Sequence, residues 1–361
     1  MFEMVRKFDW PLMAAFFVLF ACSLLVLSSI AYELFWSQLM WISLFLCGVL
    51  IMASINWRTL INYPWIVWGF YVIAVVLLLI TVIWGRTIRG TASWITIGSP
   101  ESGIRFQPAE LAKVALIILY AQYFARRHVS VASLRTIALS FLYFVLPAFI
   151  ILKQPDLGSA SILFGIWFGF LLVSGLPLRR IIASIVIFGV IALIAWQFLL
   201  KPYQKNRIIG FISPSYDPLG INYNVTQSKI AIGSAGWWGK GYGQGTQSHL
   251  GFLPEAHTDF IFAAFTEEWG FIGALFLIGV LGFVILRIIK IGILCEDNFG
   301  RFVSLGTALM ILIQSFLNLG FNLGILPVVG IPLPFLSYGG SHLLTTGLLV
   351  GIIQNIAIRL K

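Results

Sequence analysis

Charge is what this chain has least of. Only 10% of its 361 residues are Asp, Glu, Lys or Arg, 60% are hydrophobic, and the mean hydropathy is +0.97. A soluble domain carries about 25% charged residues. The two soluble domains that the length would suggest are therefore excluded, and repeated apolar runs of about 20 residues mark a polytopic membrane protein instead. Cysteine is scarce too. Cys22, Cys47 and Cys295 lie in or beside apolar runs without metal-ligand spacing and read as small hydrophobes. His128, His249, His257 and His342 are scattered, with no pair at metal-ligand spacing. Gly239-Lys240 is not a phosphate-binding loop, because Gly241 stands where Ser or Thr is needed and Ser234 where a glycine is needed. No internal repeat is visible, so the inverted-repeat signature of many transporters is missing.

What is there is a set of ten apolar spans, at 10–31, 36–55, 63–84, 108–125, 134–152, 157–175, 179–200, 260–286, 302–326 and 340–358. The first follows Arg6 and Lys7 like a secretory signal, but it is long, lacks a small-residue cleavage site and is followed by more spans, so it reads as an anchor. The net charge of +10 is placed as membrane orientation dictates, which removes the case for nucleic acid. Arg6, Lys7, Arg58, Arg126, Arg127, Arg135, Arg179, Arg180, Arg287, Lys290, Arg301, Arg359 and Lys361 fall on the side of the termini. The short loops of the opposite side carry only Lys153. Short-loop Lys and Arg bias makes the termini cytoplasmic and sends the long loops 85–107 and 201–259 outward.

Some features need no function. Gly165-x-x-x-Gly169, Gly320-x-x-x-Gly324 and Gly347-x-x-x-Gly351 permit close helix packing, and Gln314, Asn318 and Asn322 form one polar stripe suited to interhelical hydrogen bonds. Charges inside apolar runs are functional candidates by default. Glu110 and Lys113 share a helix face three residues apart, either as a self-neutralising pair or, with Arg105 one turn above, as a column able to hold phosphate. Asp156, after Gln154-Pro155, reads equally as a helix cap and as a functional acid. The stretch from Lys201 to Gly270 turns polar, glycine-rich and aromatic, and ends with Glu255, His257 and Asp259 within five positions. Asp259 is open to two readings, a cap for the following span or a half-desolvated base. Glu267 and Glu268 lie inside that span and place its true start near Trp269.

Four motifs carry a resemblance. Arg105-x-Gln107-Pro108-Ala109-Glu110-x-x-Lys113, Gln154-Pro155-Asp156-Leu157-Gly158, Pro254-Glu255-x-His257-Thr258-Asp259-Phe260-Ile261-Phe262 and Pro334-Phe335-Leu336-Ser337-Tyr338-Gly339-Gly340-Ser341 occur in order over nearly the whole chain. Together they resemble the SEDS (shape, elongation, division and sporulation) proteins, and the short termini look more like the elongation branch than the division branch. The resemblance implies an all-α fold of ten membrane helices in one domain covering 1–361, with a large extracytoplasmic loop at 201–259. It implies a peptidoglycan glycosyltransferase that polymerises lipid II in the bacterial cytoplasmic membrane beside a class B penicillin-binding protein and the elongation machinery.

The family's catalytic Asp falls on Asp259, and its important Arg and Lys on Arg105 and Lys113 with Glu110 between them. Its important loop Trp falls on Trp94, preceded here by Ser93 where many members have a basic residue. Asp156 and His257 complete the candidate substrate contacts. In this chemistry a sugar 4-hydroxyl attacks an anomeric carbon and expels a polyprenyl pyrophosphate. Asp259 is the expected base, and Arg105, Lys113 or a divalent cation (Mg or Mn) the counter-charge, with no organic cofactor. No second outer carboxylate poses as a covalent nucleophile, which favours inversion. The alternative is a flippase or transporter of the lipid-linked precursor, and a third reading is a non-catalytic scaffold.

Overall fold

The computed structural model describes residues 2–57, 63–88, 91–98, 104–126, 133–175, 177–198, 200, 202–213, 217, 220 and 222–360. Arg58, Arg127 and Lys361, which entered the reading of sidedness, lie outside them, as do Gly90, His128 and Lys201. A short helix α1 (Phe2–Arg6) is followed by α2 (Trp10–Ile30), α3 (Tyr32–Ser54) and α4 (Pro64–Trp84). After a small sheet come α5 (Pro108–Ala125), α6 (Leu134–Lys153), α7 (Leu157–Val173) and α8 (Leu178–Phe198). The large loop contributes α9 (Pro202–Ile212), α10 (Tyr223–Ser234) and α11 (Thr246–His249) before the last three helices, α12 (Ile261–Leu294), α13 (Asn298–Asn322) and α14 (Gly340–Arg359). Ten of these, α2–α8 and α12–α14, fall on the ten expected spans. Seven are long and apolar enough to cross a membrane by themselves. The chain is an integral membrane protein.

Helix starts follow local chemistry. Asp9, Ser133, Asp156 and Asp297 accept hydrogen bonds from first-turn N–H groups of α2, α6, α7 and α13, and Pro64 and Pro108 stand at the starts of α4 and α5. The glycine pairs work unequally. Gly165 and Gly169 of α7 admit Ile313 and Leu309 of α13, and Gly347 and Gly351 of α14 lie against the backbone of α3 at Phe45 and Val49. Gly320 instead makes room for Leu326 of the following loop, so the third motif serves a turn. At one end of the bundle Arg287 of α12 grips Asp9 with two nitrogens, and Gln354 of α14 accepts from the Asp9 N–H, which ties both chain ends together.

Two features depart from plain helices. The 85–107 loop holds an antiparallel sheet of β1 (Arg86–Ile88), β2 (Thr91–Ile97) and β3 (Ile104–Phe106), with Trp94 opposite Arg86 and Thr96 opposite Arg105. The run Thr-Ala-Ser-Trp-Ile-Thr-Ile is rich in β-branched and aromatic residues, which suits a strand. The second is a break in α12 at Gly270, where φ is 71° and ψ −172°, matching the span start expected near Trp269. Backbone groups freed by the break are taken up by the loop. Lys240 and Gly241 N–H donate to the carbonyls of Glu267 and Glu268, and Phe271 and Ile272 N–H donate to those of Gly236 and Trp237. Gly239 and Gly270 face each other so closely that a Cβ on either would meet the other's backbone.

Candidate functional site

The turn that carries Asp259 is fastened by backbone. Thr258 Oγ1 donates to Glu255 Oε2 (2.9 Å), and Phe260 N–H to the Glu255 carbonyl (3.2 Å). The Pro334–Ser341 motif wraps it. Ser337 Oγ donates to the Thr258 carbonyl (2.6 Å) and accepts from Leu333 N–H (2.7 Å), while Tyr338 N–H donates to the His257 carbonyl (3.0 Å). Asn318 and Asn322 of α13 both donate to the Asp259 carbonyl, at 2.9 and 3.0 Å, and Asn318 also to that of Ile331 (2.7 Å). Asn318 and Asn322 of the stripe thus bond loops, and Ser228 of α10 also donates to the Asn322 carbonyl (2.8 Å). The cap position of α12 belongs to Phe260.

A second group lies between α5 and α14. Lys113 Nζ donates to Glu110 Oε1 at 2.7 Å, and His342 Nδ1 stands 3.1 Å from Glu110 Oε2. All three are buried, Lys113 to 1% exposure. The expected column therefore divides. Lys113 is enclosed on its carboxylate partner, whereas Arg105 on β3 is exposed and makes no ion pair among the described residues. His342 Nε2 and both polar ends of the Gln314 amide are buried without protein partners. Buried polar groups in that state point to bound water or ligand.

A third group joins these two. Asp156 accepts from Ser159 N–H (2.9 Å) and Oγ (2.7 Å), so it does cap α7, and it also accepts from Gln107 Nε2 (3.1 Å). Burial pushes its carboxyl above the usual range, against the pull of the Ser159 bonds. Ser341 Oγ accepts from Gln107 N–H (3.0 Å) and lies 3.1 Å from the Arg105 carbonyl. The Val329–Ile331 segment then bridges to Asp259. A Cβ at Gly158 would meet the Val329 carbonyl at 2.6 Å, and a Cβ at Gly330 (φ +67°) would stand 3.5 Å from Asp259 Oδ2. Gly158 is required by that close approach, and Gly330 by its left-handed backbone.

All four sequence motifs therefore meet around the segment 328–341. Half-buried His257 lies beside the Tyr338 ring (6.4 Å between centroids) and 4.0 Å from Glu255. Half-buried Trp94 stays on the sheet, on the strand that pairs with Arg105's, and shares no bond with the Asp259 turn among the described residues. His342, Ser337, Ser341 and Gly330 were not singled out by sequence reasoning. For His342 the only signal is a histidine entering an apolar run. Among the described residues no three His, Cys, Asp or Glu side chains gather as a metal site.

The profile of the cell cycle protein family that groups FtsW, RodA and SpoVE matches residues 7–361. The peptidoglycan glycosyltransferase MrdB of Escherichia coli K12 is 39% identical over 286 residues, 79% of this chain and 76% of its own. The probable peptidoglycan glycosyltransferase FtsW of Haemophilus influenzae is 39% identical over 290 residues, 79% and 72% of the two chains. Among solved structures, a chain from a peptidoglycan synthase complex that coordinates polymerization and crosslinking superposes with a TM-score of 0.83 at 31% identity, over 98% of both chains. The rod shape determining protein RodA of Thermus thermophilus superposes at 0.72 with 26% identity, over 97% and 96%.

Proposed function

The chain belongs to the FtsW, RodA and SpoVE family, and from that premise we propose that it is a peptidoglycan glycosyltransferase that polymerises lipid II for cell elongation. One observation carries the assignment of the base. Asp259 is held by its backbone between α13 and the 328–341 segment, which sets its carboxylate beside Gly330.

In the reaction the 4-hydroxyl of one lipid-linked sugar forms a bond to the anomeric carbon of the other. The bond to the pyrophosphate oxygen breaks, and Asp259 takes the hydroxyl proton. Arg105, exposed on β3, supplies counter-charge to the leaving pyrophosphate. Lys113 acts behind it, through the buried unit it forms with Glu110 and His342, which holds α5 against α14 and fixes Arg105 and Gln107 by way of Ser341. Asp156 is engaged by Ser159 and Gln107, which leaves a single displacement with inversion as the consistent course. Trp94 and His257 would meet the sugars. No step is routed through a metal ion.

The site faces the outside of the cytoplasmic membrane with both termini inside, and the partner is a class B penicillin-binding protein. The basic bias of short loops supports the first, and the synthase-complex likeness supports the second.

The test is purified protein in liposomes with lipid II. Asp259→Asn should lower polymer formation by about 10²- to 10⁴-fold with unchanged folding. A rate within a few-fold of the parent would remove Asp259 from the chemistry. Cysteines replacing Trp94 or Asp259, in a background without Cys22, Cys47 and Cys295, should react with impermeant thiol reagents from outside. If lipid II instead made cysteines near Arg180 reactive from outside, the access would be alternating and the flippase reading would take over.

A further inference from the structure

A second polar opening lies in the large loop, beside the segment that touches Asp259. It is a cleft of about 310 Å3 between α9, α10 and the 324–328 turn, lined by Arg207, Lys229, Asn206, Asn222, Asn224 and Thr226 among others. No carboxylate is among its described lining residues. In a chain with so few charges, two cations, Arg207 and Lys229, share this one cleft.

The cleft is built around them. Gly324 is in the left-handed region (φ +69°), and a Cβ there would collide with Cε and Nζ of Lys229, so the turn leaves the space that the lysine occupies. Among the described residues Lys229 has no ion pair. Arg207 Nη1 reaches the Val328 carbonyl at 3.4 Å, and Asn222 Nδ2 is fixed on the Gly210 carbonyl at 3.1 Å.

Two links tie this cleft to the Asp259 turn. Val328, on its wall, is two residues from Gly330, which lies against the Asp259 carboxylate. Ser228, beside Lys229, donates to the Asn322 carbonyl at 2.8 Å, and the Asn322 amide holds the carbonyl of Asp259. Paired cations suit a phosphate or pyrophosphate, and amide and hydroxyl groups suit sugar hydroxyls.

Glycan polymerisation needs two lipid-linked sugars at one base, and Arg105 serves only one. We propose that this cleft binds the phosphate-bearing headgroup of the second lipid-linked sugar substrate, placing its sugar at Asp259 by way of the Val328–Gly330 segment. The proposal rests on the polymerase reading above.

The experiment uses the full chain in phosphatidylcholine nanodiscs and a fluorescent short-chain lipid II, with binding read by anisotropy and turnover read separately. Lys229→Gln with Arg207→Gln should weaken one of two binding phases at least 10-fold and raise KM with kcat at saturation kept within a few-fold. Lys229→Arg should keep both phases, and Lys290→Gln should change neither. Inorganic pyrophosphate should compete for the weakened phase in the parent protein, and phosphatidylglycerol should not. Unchanged binding phases and KM in the folded double variant would overturn the proposal. So would displacement by phosphatidylglycerol at the same concentrations as lipid II, which would make the cleft a phospholipid site. Binding by Asp259→Asn, which needs no turnover, keeps this outcome separate from any failure of the polymerase reading.

Discussion

Glu267 and Glu110 are both carboxylates buried in apolar helices, and their surroundings differ in kind. Glu267 is saturated. It accepts from Lys240 Nζ (2.7 Å), Gln247 N–H (2.8 Å), Ser248 N–H (3.1 Å) and Ser248 Oγ (3.0 Å). Its neighbour Glu268 meets His249 (3.1 Å) and Ser29, which draws the loop onto α2. These acids clamp the 236–249 loop over the break at Gly270. Glu110 instead has one lysine and one histidine, and the far nitrogen of that histidine is buried without a protein partner. Glu267, with both oxygens filled, fixes a loop, whereas among the described residues His342 Nε2 beside Glu110 and Glu268 Oε2 beside the clamp are each buried without a hydrogen-bond partner.

The sharpest way to break this comparison is at Glu110. Glu110→Ala leaves Lys113 buried and uncompensated, which should cost about 3–5 kcal/mol, whereas Glu110→Ala with Lys113→Ala should recover much of it because both members of the pair are then removed. Thermal unfolding in detergent checks this, and equal stability of single and double variants would end the pairing argument. The folded double variant should also make no glycan, since the unit that positions Arg105 is gone.

At the clamp the outcome should invert. Glu267→Gln keeps most of the acceptor geometry but loses the charge that holds Lys240, at about 1–3 kcal/mol. Polymerisation per folded molecule should stay near the parent value. A large loss of specific activity without loss of stability would place the clamp in the reaction and dissolve the distinction.

The smallest effect belongs to the residue between the two. Asp156→Ala removes the cap of α7 and should cost about 1 kcal/mol, with Asp156→Asn retaining most of it. If Asp156→Asn stays as stable as the parent but loses turnover, Asp156 contributes through Gln107 as well as through the cap.

Much of this was legible in the chain. Span number and helix bounds follow from apolar length, because a bilayer demands about 20 residues with every backbone group satisfied. Glu110–Lys113 pairing follows from three-residue spacing on a helix, and the break near Trp269 from two acids inside an apolar run. Those are local facts, carried by neighbours in sequence. Asp259 as cap or base, the stripe on α13 as helix contact or loop tether, and Lys113 as open or enclosed were undetermined, because each depends on a partner more than 50 residues away or on burial. His342 on Glu110 is 232 residues distant, Ser341 on Gln107 is 234, and Asn322 on Asp259 is 63. No periodicity records such separations. Only the packing of α14 against α3 and α5, and the 328–341 segment folded between α7 and α13, brings four dispersed motifs to the turn of Asp259, because hydrogen bonds act over about 3 Å whatever the distance along the chain.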